Sequence, residues 1–88
     1  MSSTTVIVNA RIRTADRARV PDGAVVRDGT VIALGTSAEV RKLAGAGAEV
    51  LDARGATLEG AGGEPVARGT TGALVLRGAD GAVVARVG

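Results

Sequence analysis

Hydrophobic and polar residues alternate along a segment close to the start of the chain, residues 5–13. Four apolar side chains fall on one face of an extended chain there: Val6, Val8, Ala10 and Ile12. The other face carries polar side chains together with Ile7. A period of two in a stretch rich in β-branched residues is typical of a β-strand, so the pattern predicts a strand over residues 5–13.

Two later segments, residues 24–34 and 73–87, have the pattern of β-hairpins. Each consists of two aliphatic arms around an Asp-Gly turn, at Asp28-Gly29 in the first and at Ala79-Asp80-Gly81 in the second. Asp followed by Gly favours the positive φ angles of a tight turn between strands. In the second hairpin, Leu74 and Leu76 are predicted to share one face, as are Val83, Ala85 and Val87.

One short helix is predicted near residues 37–44, between the hairpins. Thr36 and Glu39 have the spacing of a capping box, and Gly45 is suited to end the helix. Three apolar residues share one face of this helix: Val40, Leu43 and Ala44. Two further strands are predicted after it, over residues 48–53 and briefly over residues 55–58.

Residues 59–72, EGAGGEPVARGTTG, interrupt the strand pattern with glycine. Such a composition predicts a connector, in which Pro65-Val66-Ala67 is a candidate for a short edge strand. The chain is therefore predicted to be a single domain over residues 1–88. Its N-terminal strands occupy residues 1–58, and its C-terminal hairpin occupies residues 73–88.

Composition restricts the core of this domain. The 88 residues include no Phe, Trp, Tyr, Cys or His, so the core consists of small aliphatic side chains without disulfides. A thin aliphatic core favours two sheets packed close together, and it also favours self-association. The predicted fold is mainly β, a small sandwich or partly open barrel of about six to eight strands with one short helix.

Charge and hydropathy exclude several classes of partner. The net charge is only +2, and no aromatic side chain is present to stack on bases, so nucleic acid is not an expected partner. Arg11 and Arg13 nevertheless share a strand face, and Arg17 and Arg19 follow them. No segment has the pattern of a signal peptide or a membrane span, which predicts a cytoplasmic protein without a membrane partner.

No constellation of residues indicates chemistry of its own. Glu49 and Asp52 are three residues apart on a predicted strand, so they point to opposite faces and cannot act as a pair. Four other acidic residues lie in predicted turns or in the connector, which accounts for them without a catalytic role: Asp28, Asp80, Glu59 and Glu64. Without His, a conventional nucleophile–base pair is excluded. We therefore predict no catalytic, cofactor-binding or metal-binding residue in this chain.

Residues 5–58 resemble the start of enzymes of the amidohydrolase superfamily, and most of all its branch of metal-dependent hydrolases that act on C–N bonds other than peptide bonds. The resemblance depends on three pieces in order: Asn9-Ala10 at the end of a strand, the Asp28-Gly29 hairpin followed by Ala33-Leu34-Gly35, and Asp52-Ala53-Arg54-Gly55. The last twenty residues are similar to the strands that return after the barrel of these enzymes. The resemblance implies a composite β-sandwich in which the connector replaces a TIM barrel of about 250 residues.

The resemblance also implies where a metal-binding motif, Asp-x-His-x-His, would stand. Aligned without gaps, the motif falls on Glu64, Val66 and Arg68, and neither valine nor arginine can replace a histidine ligand. Family members use zinc or a similar divalent metal, and none is expected here. The implied function is an accessory domain of such a hydrolase, not catalytic alone, with a separate barrel domain or a second copy of the chain as partner. The alternative is a free-standing β module for self-assembly or partner binding.

Overall fold

The computed structural model describes residues 3–15, 20–45 and 47–87. Within these ranges the chain forms nine elements, which confirms the prediction of a mainly β fold with one short helix. They are β1 Thr4–Val8, β2 Arg11–Ile12, β3 Gly23–Arg27, β4 Thr30–Gly35, α1 Ser37–Ala44, β5 Glu49–Asp52, β6 Thr57–Gly60, β7 Leu74–Arg77 and β8 Val83–Val87.

The strands form two sheets of four, which face each other across the core. Sheet A has the order β4-β3-β1-β5, and sheet B has the order β2-β6-β7-β8. The chain passes from sheet A to sheet B twice, between β1 and β2 and again between β5 and β6. Both crossings belong to parallel pairs, since β1 pairs with β5 and β2 with β6 in parallel. The architecture is a small β-sandwich. The segments β1–β2 and β5–β6 run parallel to each other, and each bends from sheet A into sheet B.

The bend between β1 and β2 corrects the prediction of one strand over residues 5–13. Asn9 adopts a positive φ of 55°, which ends β1 and redirects the chain into sheet B. Ala10 and Ile12 then join Ile7 in the core between the sheets, whereas Val6 and Val8 face the opposite side. Ile7 is buried, contrary to its predicted place among polar residues, because helix α1 covers one face of β1 and sheet B covers the other.

Two hydrophobic clusters form the core. The larger lies between the sheets, and its largest fully buried side chains come from both of them: Ile7, Val31, Ile12, Leu58, Leu74 and Leu76. The smaller lies between sheet A and helix α1, where Val40 packs against Val6, Val8 and Val25. Val40 of the predicted apolar face is buried against the sheet, whereas Leu43 is exposed. The side chain of Ala44 lies outside the described residues.

Local sequence signals account for the turns and the helix start. Asp28 and Gly29 have positive φ angles of 51° and 79°, as the predicted tight turn requires. Thr36 and Glu39 form both hydrogen bonds of the predicted capping box. Strand β5 lies within the predicted range 48–53, whereas β6 begins two residues after the start of the predicted strand 55–58 and continues to Gly60.

The second hairpin departs from its predicted pattern at one position. Leu74, Leu76 and Val87 are buried as expected, but Val83 is 41% exposed. The register shifts between Leu76 and Arg77, because Leu76 pairs with Ala85 while Arg77 pairs with Val83. This irregularity breaks the alternation that would have placed Val83 on the same face as Ala85. No helix within the described ranges has the length and apolar character needed to span a bilayer.

Helix α1 lies close to sheet A at Gly23, and a substitution there tests the packing of the helix. A Cβ atom at Gly23 would lie 2.6 Å from Val40 Cγ2 and 3.0 Å from the carbonyl oxygen of Thr36. We expect Gly23→Ala to lower the free energy of unfolding by about 1.5 kcal/mol, because the helix must shift to admit the methyl group. Thermal unfolding followed by far-UV circular dichroism measures the change.

The partner of Gly23 across the hairpin, Gly35, provides the matched control. A Cβ atom at Gly35 would meet only Glu39, at ordinary contact distances of 3.6 Å and above. Gly35→Ala should therefore leave the stability almost unchanged. Equal losses in the two variants would show that helix packing is not what restricts Gly23.

Candidate functional site

The connector, where the resemblance implies a missing barrel, is held to the sandwich along its length. Because β6 extends to Gly60, the connector begins at Ala61 and ends at Ala73. The backbone N–H of Val66 donates to the carbonyl oxygen of Arg13 (2.7 Å), and that of Val31 donates to the carbonyl oxygen of Thr70 (2.8 Å). Residues 65–67 do not form the candidate edge strand.

Val66 is the residue that fastens the connector to the core. Its side chain is fully buried within the cluster between the sheets, whereas its neighbours Ala67 and Arg68 are exposed. The connector is therefore packed against the sandwich through the side chain of Val66.

A buried carboxylate lies where β6 meets the connector. The side chain of Glu59 is 9% exposed; it accepts a hydrogen bond from the guanidinium group of Arg13 and forms an ion pair with that of Arg77. Arg77 Nε lies 2.6 Å from Glu59 Oε1, and Arg13 Nη1 lies 3.2 Å from Glu59 Oε2. Arg77 also donates to the carbonyl oxygen of Gly81 in the β7–β8 turn, at 3.1 Å. This ion cluster joins the segment after β2 to β6 and β7.

The ion cluster belongs to a wider basic surface on the outer side of sheet B. The strand registers place Arg11, Thr57 and Arg77 in one row and Glu59, Val75 and Arg86 in the next. We call the four arginines of this side the arginine face: Arg11, Arg13, Arg77 and Arg86. Arg11 and Arg86 are exposed, whereas Glu59 neutralises part of the charge of Arg13 and Arg77. This surface can receive an anionic group or an acidic partner surface.

The sequence revealed only part of this surface. Arg11 and Arg13 were expected to share a face, whereas Arg77 and Arg86 reach it through strand pairings that the sequence alone does not specify. Arg17 and Arg19, the other members of the predicted basic patch, lie outside the described residues. Glu59 was assigned to the connector, although continued alternation after Leu58 could have placed it on the outer side of a longer strand.

The residues that align with the metal-binding motif do not fit a metal ion. The Val66 side chain is enclosed by apolar groups, and Glu64 Oε2 accepts a hydrogen bond from the backbone N–H of Gly62 (2.9 Å). In the described part of the chain, no three His, Cys, Asp or Glu side chains come together in a group that could hold a metal.

A second polar group surrounds Asp52, at the end of β5 where the chain crosses to sheet B. Asp52 Oδ1 accepts hydrogen bonds from the backbone N–H of Arg54 (2.9 Å) and from Asn9 Nδ2 (3.2 Å). The pKa of the Asp52 carboxyl lies below its ordinary value. The main cause is the hydrogen bond from the Arg54 N–H, and the second is the hydrogen bond from the Asn9 amide. Asn9 and Arg54 both have positive φ angles, so Asp52 stabilises the two bends together. This arrangement gives Asp52 a structural role.

No protein-family model matches the chain, and no curated protein matches it. Two solved structures are similar, both described as uncharacterized metal-dependent hydrolases. The one from Pyrococcus horikoshii OT3 has a TM-score of 0.56 and 28% identity, over 64% of this chain and 12% of that chain. The one from Pyrococcus furiosus has a TM-score of 0.53 and 26% identity, over 62% of this chain and 12% of that chain.

The chain thus matches about one eighth of the length of these two hydrolases, since 12% of each is covered. The matched part is more than half of this chain, so the likeness involves a large share of the sandwich described above. A small β-rich domain of this kind fits a segment of a metal-dependent hydrolase.

Proposed function

We propose that the chain is an accessory β-sandwich domain of an amidohydrolase-like hydrolase that acts on C–N bonds other than peptide bonds, and that it has no hydrolytic activity of its own. The likeness to two metal-dependent hydrolases supports this proposal. The resemblance of residues 5–58 to amidohydrolases narrows it to that superfamily. In this proposal the catalytic barrel is a separate partner.

The observation that carries the proposal is the position of the connector between paired strands. Gly60, the last residue of β6, lies directly opposite Leu74, the first residue of β7. A segment of any size inserted between these residues would begin and end at neighbouring points. Its insertion would therefore not prevent β6 from pairing with β7. A composite sandwich needs this property, because its strands must pair across an inserted domain.

The polar groups of the described residues also favour a non-catalytic role. Glu59 is the one buried charged side chain among the buried residues described, and two arginines occupy its carboxylate oxygens. A general base needs a carboxylate oxygen within hydrogen-bond reach of the proton that it abstracts, and both Glu59 oxygens face arginines instead. Asp52 is likewise engaged by Asn9 and the backbone of Arg54.

We expect the purified chain to hydrolyse none of a panel of linear amides, cyclic amides and cyclic ureas in the presence of zinc. Product formation is measured by chromatography over several hours, since slow turnover must also be detected. Parallel samples containing a chelator control for metal-dependent contamination. Turnover that co-purifies with the chain and disappears with the chelator would contradict the proposed absence of activity.

A second candidate function, a free-standing β module for self-assembly, is favoured by a different observation. Val83 and Val84 are 41% and 62% exposed, and both lie on β8, the outermost strand of sheet B. Exposed valines on an edge strand are a common feature of surfaces that add a further strand. The molecular mass in solution distinguishes this function from that of a monomeric accessory domain.

A further inference from the structure

The two sheets have four edge strands, and the described chain covers two of them. The outer edge of β4 is joined to the connector, where Gly69 N–H donates to the carbonyl oxygen of Val31 (2.7 Å). The outer edge of β2 is covered by the segment before β3, since Ile12 N–H donates to the carbonyl oxygen of Pro21 (3.3 Å). Unpaired strand edges promote association, so this coverage removes two possible sites.

The other two edge strands, β5 and β8, have no backbone partner on their outer side within the described ranges. They differ in their side chains. Strand β5 has an exposed carboxylate at each end, Glu49 and Asp52, so two copies of β5 would repel each other. Strand β8 has the exposed valines Val83 and Val84, with Arg86 as its only charged residue. Edge protection by charge is therefore present on β5 and weak on β8.

The surroundings of β8 leave space for an approaching strand. A groove of about 480 Å³ separates Val84 and Ala85 from residues 51–56 of the same chain. The edge of β8 is thus not packed against β5, and its hydrogen-bonding groups can be reached from the side.

We infer that β8 is a self-association surface, on which β8 of a second copy pairs in antiparallel orientation about a two-fold axis. This inference rests on the second candidate function and names its site and its partner. The pairing joins two copies of sheet B into one continuous eight-stranded sheet. Each copy offers the same edge to the other, so the assembly closes as a dimer.

Charge complementarity favours a second copy as the occupant. Arg86 is exposed on β8, and Asp80 is exposed in the β7–β8 turn, where its Oδ1 accepts a hydrogen bond from the backbone N–H of Ala82 (3.0 Å). Neither belongs to an ion pair with another described residue of its own chain. When Val84 lies opposite the partner's Val84, Arg86 lies opposite the partner's Ala82 and next to the turn that carries the partner's Asp80. The long arginine side chain can extend towards that carboxylate, so the pairing places two pairs of opposite charges around an apolar centre.

Sedimentation equilibrium tests the inference over a wide concentration range. Because a single strand pair buries little surface, we expect a dissociation constant of roughly 10–100 µM. The mean mass of the wild-type chain should rise from 8.6 kDa towards twice that value with increasing concentration. Val84→Lys should weaken the dimer by about tenfold or more, because it places two lysines at the two-fold axis. Val50→Lys is the control, since Val50 is 53% exposed on β5.

A charge exchange tests the register. Arg86→Asp and Asp80→Arg should each weaken the dimer by about threefold, and the double variant should recover most of the loss, as two restored ion pairs require. Glu49→Arg, on β5, should leave the dimer unchanged. Circular dichroism confirms that each variant folds.

The possible failures have different meanings. A dimer that survives Val84→Lys, or that is lost with Glu49→Arg, would overturn the assignment to β8 but leave self-assembly in place. A wild-type chain that stays monomeric at the highest concentration would overturn both the assignment and the second candidate function.

Discussion

Replacing Val66 by aspartate should lower the free energy of unfolding by about 4 kcal/mol, the largest effect expected of a single substitution in the connector. The valine side chain is fully buried between the sheets, so its removal from the core costs about 2 kcal/mol of hydrophobic stabilisation. A carboxylate in its place must be buried without a partner or pull the connector away from the sandwich. In a domain of this size, such a loss corresponds to a fall in Tm of roughly 16–32 °C.

Ala67→Asp is the matched control for this prediction, because Ala67 is the exposed neighbour of Val66. It introduces the same charge into the same segment and should cost less than about 0.5 kcal/mol. Far-UV circular dichroism is the suitable probe, since the chain has no Trp, Tyr or Phe to report tertiary packing. If Val66→Asp lowered the free energy of unfolding no more than Ala67→Asp, the Val66 side chain would not hold the connector against the core.

Replacing Glu59 on β6 by alanine should lower the free energy of unfolding by about 2.5 kcal/mol. Removing one partner of a buried ion pair costs roughly 3–5 kcal/mol, because the remaining charge loses its compensation. The cost is lower here because Arg13 and Arg77 remain partly exposed, at 59% and 32% of their side chains, and water can solvate them. Denaturant unfolding measures the difference.

A double-mutant cycle assigns this loss to individual pairs. The coupling of Glu59 with Arg77 should exceed that with Arg13, because the contact is shorter (2.6 Å against 3.2 Å) and Arg77 is less exposed. Glu64→Ala is the control, since Glu64 is exposed and lies close by in the connector. A Glu59→Ala variant as stable as Glu64→Ala would show that the ion cluster contributes nothing to the fold.

Features encoded by neighbouring residues were predictable from the sequence. The Asp28-Gly29 turn needs only positive φ at two successive positions, and the capping box needs only Thr36 and Glu39. Both follow from backbone sterics and local hydrogen bonding, so distant residues have little influence on them. The mainly β architecture follows for the same reason, because strand signals recur along the chain at short intervals.

Features that depend on distant residues were not predictable in the same way. The alternation through Asn9 is uninterrupted in sequence, yet the strand bends there because Gly55 N–H donates to the Asn9 carbonyl oxygen (2.7 Å) and Asp52 accepts from the Asn9 amide. Glu59 is buried because Arg13 and Arg77 approach it from other strands. Nothing next to Asn9 or Glu59 in sequence reveals these partners.

The parallel pairing of β1 with β5 has a consequence for how the chain folds. Thr5 pairs with Glu49 and Val8 with Asp52, so this pairing joins residues that are far apart in sequence. The chain between them must close into a long loop before the hydrogen bonds of the pair can form. The antiparallel hairpins β3–β4 and β7–β8 close over a few residues only. Loop closure costs entropy that rises with chain separation, so native topologies rich in distant pairings fold slowly. We therefore expect the pairing of β1 with β5 to be the rate-limiting step of folding, after both hairpins have formed.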